Sequence, residues 1–176
     1  MSDLFDKVTG QMDFVKKLAS HIPGFSGYVE RQNRRAADKL LRGSVADRFE
    51  ELWKRTSNIQ TDMVNEGMIA LMDDMEQAAI QLRTFADKIR TATYGYAGFF
   101  DAIKIKEAEL AQLYQYDLAF FDVADQIGRA LDNIEASMGD EDGLKSAIRN
   151  LIGLTREAVT TFDRRYEMIN GKGDQP

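Results

Sequence analysis

Apolar residues recur every three or four positions along most of the chain, and the places where that rhythm slips mark the expected helix boundaries. Leu4, Val8, Met12, Val15, Leu18, Ala19 and Ile22 form one stripe, which predicts a first amphipathic helix ending at Pro23 and Gly24. The basic segment from Glu30 to Arg42 is helical by propensity, with an end expected near Gly43 and a new start capped by Ser44. Phe49, Leu52, Thr56, Ile59 and Met63 then step by three and four, as do Met68, Met72, Met75, Ala79, Leu82, Ala86 and Ile89. The step of five between Met63 and Met68 predicts a kink or break at Gly67. A long helix capped by Asp101 carries Leu110, Leu113, Phe120, Ala124, Ile127, Leu131, Ile134 and Met138 as far as Gly139. Asp140 or Asp142 caps the last helix, whose inward positions run from Leu144 through Ile148, Leu151, Thr155, Ala158, Phe162 and Tyr166 to Ile169. The expected fold is all-α, an antiparallel bundle of three to four long helices with a shorter amphipathic N-terminal helix. Its parts are the N-terminal helix (1–22), the bundle (23–170) and a flexible tail (171–176).

Two connections break the usual polarity of loops. Residues 24–30 and 95–101 share the order glycine, aromatic, small residue, glycine, aromatic, any residue, acid, each just before a predicted helix. In this reading the glycines turn the chain, the acid sits near the positive end of the next helix, and the aromatics cover the end of the core. Phe25 and Tyr28 belong to the first corner; Tyr94, Tyr96, Phe99 and Phe100 belong to the second.

Composition narrows the chemistry. The 176 residues are 44% hydrophobic and 30% charged, which suits a folded domain with its own core. With no cysteine, disulfides, thiol nucleophiles and thiolate metal sites are excluded, and the chain suits a reducing compartment. The acid-interrupted N-terminus resembles neither a secretory signal nor a spanning helix, so a cytoplasmic protein is expected, with any membrane contact peripheral. Net charge is −6, unevenly spread: residues 1–42 hold eight Lys and Arg against five Asp and Glu, so the other 134 are strongly acidic. An acidic body disfavours nucleic acid as a partner.

Neither metal nor cofactor is expected. A di-metal bundle needs Glu-x-x-His pairs, whereas the single histidine, His21, has no acid three residues before it and is read as a helix-end residue bonding the last carbonyls. No phosphate-binding loop is present, and a hydrolytic triad would need its base elsewhere than in this turn. Asp117 falls on the seam between Leu113 and Phe120 and calls for a basic partner from another helix. Met63, Met68, Met72 and Met75 are read as core filling around the phase slip, with a groove for a partner helix as the alternative. No residue earns a catalytic role, and the chain is read as non-enzymatic.

The N-terminal quarter carries the strongest interaction signal: an apolar face including Leu4, Phe5, Val8 and Met12, followed by Arg31, Arg34 and Arg35. Such a segment suits docking on protein or self-association; an anionic membrane surface is the alternative, weakened by Asp3, Asp6 and Asp13 on its polar side. The strings HIPGFSGYVERQNRRAADKLLR and YGYAGFFDAIK resemble a group of uncharacterised bacterial all-helical proteins with an IPG-aromatic-x-GY turn, a KLLR helix and a YGYAGFFDA-type turn. That resemblance covers about a third of the chain and implies a fold, with no function carried over. The functional expectation is a binding or scaffold protein making protein–protein contacts. The alternative is a peripheral membrane-binding protein using the N-terminal helix and residues 31–42.

Overall fold

In the computed structural model, backbone is described for residues 16–17, 19–24, 34–92 and 107–170, and side chains for residues 16–17, 19–24, 39–92 and 118–164. Four long helices make the body: α1 (Arg34–Asn65), α2 (Met72–Thr91), α3 (Glu107–Ala136) and α4 (Glu141–Asn170). A single 3-10 turn, Ile69–Leu71, leads into α2, and no strand occurs among the described residues.

α1 and α2 form one hairpin and α3 and α4 a second; across the hairpins α1 lies beside α3 and α2 beside α4. Side-chain pairs fix the directions. Arg90 meets Asp47 while Glu76 meets Gln60, so α1 and α2 run antiparallel. Arg48 meets Asp125 and Arg55 meets Asp132, the same offset twice, so α1 and α3 run parallel. Both hairpin turns therefore share one end of the bundle, and α2 and α3 lie on a diagonal.

The first turn explains the phase slip. The Gly67 N–H donates to the Val64 carbonyl (3.1 Å) and the Met68 N–H to the Met63 carbonyl (2.9 Å), with Gly67 at φ +78°. This is the Schellman closure of a helix, which favours glycine at the left-handed position and an apolar pair five residues apart across it. Met63 and Met68 are that pair. Gly139, at φ +92°, serves the second turn, where the Asp140 N–H donates to the Ser137 carbonyl.

One expected boundary is absent. α1 passes straight through Gly43 and Ser44, flanked by the buried Leu41, Val45 and Ala46. The apolar stripe continues across Gly43, and tertiary burial outweighs the roughly 1 kcal/mol that glycine costs inside a helix.

Every seam position named for α1 and α2 is buried or half-buried, as are those of α3 and α4 from Phe120 to Phe162. Each helix contributes one phenylalanine to a central layer. Phe85 of α2 lies 4.2 Å from Phe49 of α1, 5.4 Å from Phe120 of α3 and 6.0 Å from Phe162 of α4, measured between ring centroids. Burying a side chain of this size contributes about 1.5–3 kcal/mol. Thr56 and Thr155 are the buried polar residues of the described core. Thr56 donates to the Leu52 carbonyl (2.8 Å); the Thr155 hydroxyl has the Ile152 carbonyl and the Gln81 amide oxygen within reach. Met63 and Met75 lie in the core, with Met68 and Met72 half-buried against it.

Candidate functional site

Leu4, Phe5, Val8, Met12, Arg31, Phe25, Tyr28, Tyr94, Tyr96, Phe99 and Phe100 lie outside the described residues. Arg34 and Arg35 open α1 and Asp117 belongs to α3; their side chains lie outside the described set as well. The last turn of the N-terminal segment is described. Residues 19–21 are helical, Ile22 is buried in the core, and Ala19 packs against it. His21 acts as the helix-end residue expected of it: Nδ1 lies 3.0 Å from the Lys17 carbonyl, and the ring leans on Phe121 at 4.7 Å. This segment ends beside an open polar groove between α1 and α3, bordered by Ser44, Arg48, Glu51 and Asp125.

Ionic clamps hold α1 to its neighbours. The Arg55 fork spans Glu135 through Nε (3.2 Å) and Nη2 (2.6 Å), with Nη2 also 2.6 Å from Asp132 and Nη1 3.3 Å from the Gly128 carbonyl. The Glu135 hydrogen bond, with Asp132 adding to it and burial opposing, holds the Arg55 guanidinium above its ordinary pKa. On the other side Arg90 bonds Glu50 (2.8 Å) and Asp47 (2.7 Å), and Lys54 closes on Glu50 at 2.9 Å. Lys54 and then Arg90 keep the Glu50 carboxyl below its ordinary value. Arg83 sits 5.2 Å over the Trp53 ring, a cation–π contact between α1 and α2.

The end that carries both turns is different. A cavity of about 270 Å³ opens between them, lined by Gly67, Met68, Leu71, Gly139, Glu141 and Leu144. In and next to the first turn Ile69 is 68% exposed and Val64 51% exposed, two of the three large apolar side chains exposed among the described residues. Residues 56–82 and 130–144, which contain the two turns and the helix segments around them, carry five carboxylates each, with Arg55, Arg83, Arg129 and Lys145 at their borders. The sequence signal for this surface is faint, because the two turns, at Gly67 and Gly139, are far apart in the chain and only the arrangement of the hairpins unites them.

Among the described residues no group of three His, Cys, Asp or Glu is placed to hold a metal ion, and no helix is long and apolar enough to cross a membrane. No protein-family model, curated protein or solved structure matches the chain, so the resemblance of its two glycine-aromatic strings rests on those strings alone.

Proposed function

We propose that this chain is a non-enzymatic helical-bundle protein that works as a binding or scaffold module through protein–protein contacts. The observation that carries this reading is the turn end, where Ile69 is exposed to solvent between Met68 and Ala70, two of the residues that line a cavity together with Leu71 and Leu144. A large apolar side chain exposed next to a partly apolar concavity is a feature of contact surfaces. The absence of cysteine fits a protein of the cytoplasm.

The burial of Ile22 supports protein over lipid as the neighbour of the N-terminal helix, since the last member of its apolar stripe is already used on the bundle. The membrane reading needs the earlier stripe to insert in lipid. Co-sedimentation of the full chain with anionic phosphatidylserine vesicles, at low and high salt, separates the two. Our reading expects the protein to stay in the supernatant. Salt-sensitive pelleting that the double substitution Leu4→Glu/Val8→Glu abolishes would overturn it. Point substitutions serve better than removal of residues 1–22, because that removal would also take Ile22 out of the core.

A further inference from the structure

We infer that Met68 is a peroxide-sensitive modification site, and that its oxidation to methionine sulfoxide opens the turn between α1 and α2. The chain has eight methionines. The five whose side chains the structure describes all flank the two turns, Met63, Met68, Met72 and Met75 around Gly67 and Met138 next to Gly139. Burial divides them. Met63 and Met75 are fully buried, whereas Met68, Met72 and Met138 are half-buried against the core. Met68 in addition lines the cavity of about 270 Å³ between the turns, which is open to solvent. A volume of that size readily admits molecules as small as water or hydrogen peroxide. Methionine oxidation follows exposure of the thioether, so the cavity sets Met68 apart from the two buried sulfurs beside it.

In the reaction a lone pair of the Met68 sulfur attacks one oxygen of hydrogen peroxide, and the O–O bond breaks as the S–O bond forms. The second oxygen leaves as hydroxide and takes the proton of the first to become water; sulfur gives up two electrons and the peroxide gains them. The product is polar where the turn needs apolar contact. Met68 follows the left-handed Gly67, its N–H donates to the Met63 carbonyl (2.9 Å), and its side chain is the apolar partner of Met63 across the closure. The same residue precedes the 3-10 turn Ile69–Leu71, so it both ends the closure of α1 and begins the path into α2. The cavity wall offers a sulfoxide oxygen no side-chain donor, because Ala70, Leu71 and Leu144 are apolar and the Glu141 carboxylate accepts. The oxygen must therefore turn out to water, which draws the side chain away from Met63 and the core.

The test is treatment of the folded full chain with hydrogen peroxide, followed by site-resolved peptide mass mapping, thermal melts and amide hydrogen exchange. Met68 is expected to oxidise about tenfold or more faster than Met63 and Met75, which react only when the core opens. Exchange at the Met68 amide, whose N–H closes the turn onto Met63, is expected to quicken by about tenfold in the oxidised protein. The oxidised wild type is expected to melt about 2–4 °C below the untreated chain, and Met68→Leu, which keeps the volume without the sulfur, to resist most of that shift. Met68→Gln, polar without any oxidant, is expected to show the lowered midpoint before treatment. Methionine sulfoxide reductases acting on both epimers are expected to restore the wild-type midpoint. Equal oxidation rates at Met63, Met68 and Met75, or equal peroxide shifts in wild type and Met68→Leu, would overturn the inference. So would unchanged exchange and an unchanged midpoint in wild type whose Met68 is fully oxidised, since the sulfoxide would then sit in the turn without opening it.

Discussion

The phenylalanine layer and the turn end use the same kind of residue to opposite effect. At the layer, Phe49, Phe85, Phe120 and Phe162 come from four helices and are all buried; at the turn end, Ile69 is mostly in water. The difference lies in the number of neighbours the topology supplies. Midway along the bundle each helix packs against two flanking neighbours, and Phe85 also meets Phe120 across the diagonal, whereas at the turns the chain reverses and leaves a concavity open to solvent. Charge follows the same division: arginine clamps tie α1 to α2 and α3 along their length, and the turns themselves, from Glu66 to Asp74 and from Asn133 to Gly143, carry carboxylates and no cation. One region is saturated by its own protein and the other is not. Substitutions should therefore act on stability at the layer and on association at the turns.

Phe85→Ala breaks the comparison most severely, because Phe85 touches the rings of all three other helices. A loss of about 3–5 kcal/mol in urea denaturation is expected, combining transfer and cavity costs. Ile69→Lys should change the same measurement by less than about 0.5 kcal/mol. Comparable losses at the two sites would mean that Ile69 is held by contacts its exposure does not show.

Two glycines sharpen the point with opposite signs. Gly67 has φ +78° and Gly43 lies inside α1 with no positive φ, and neither has a heavy atom within 4 Å of where a Cβ would stand. Space is equal, so the backbone alone decides. Gly67→Ala is expected to destabilise by about 1 kcal/mol, because a side chain disfavours the left-handed region. Gly43→Ala is expected to stabilise by up to about 1 kcal/mol, because it raises helix propensity without a clash. Destabilisation by Gly43→Ala would restore the helix end that the sequence suggests there.

These glycines also show what was legible beforehand. The helical rhythm yielded the bundle, its seams and the break at Gly67, since the Met63 to Met68 step is itself the signature of the closing motif. Gly43 misled because glycine is ambiguous without its φ, and a stripe that continues through it is the stronger signal. Phe85 falls outside the predicted seam because it lies beside the narrow stripe of Leu82, Ala86 and Ile89, and a helix with two flanking neighbours buries a wider face than a two-helix seam. The turn end was hidden for a topological reason. Residues 56–82 and 130–144 are both acidic in the sequence, but nothing linear says that they meet.

The arginine clamps give a smaller effect. Arg55→Ala removes hydrogen bonds to Glu135, Asp132 and the Gly128 carbonyl, yet the side chain is 34% exposed, so the expected loss is at most about 1 kcal/mol and declines with added salt. Arg55→Lys should recover only part of it, because an ammonium cannot span both Glu135 oxygens as the guanidinium does. Full recovery by lysine would show that charge alone, without the fork, accounts for the contact.

The smallest effect belongs to Glu50, and its sign follows from the direction of its shift. Lys54 and Arg90 lower its pKa in the folded chain from the ordinary 4.5. A carboxyl depressed by folding contributes stability that is complete above the unfolded value and is lost as pH falls through the folded one. The urea midpoints of wild type and Glu50→Gln should accordingly differ by a constant amount above pH ~5.5 and converge as acid protonates Glu50, with 0.5 M salt shrinking the gap throughout. Glu50 lies at the solvent surface, so the gap is small, but its shape is diagnostic. Convergence toward higher pH would mean that the clamp at Arg90 opposes folding, and the pairing of α1 and α2 would then rest on the apolar seam and the Arg83–Trp53 and Gln60–Glu76 contacts.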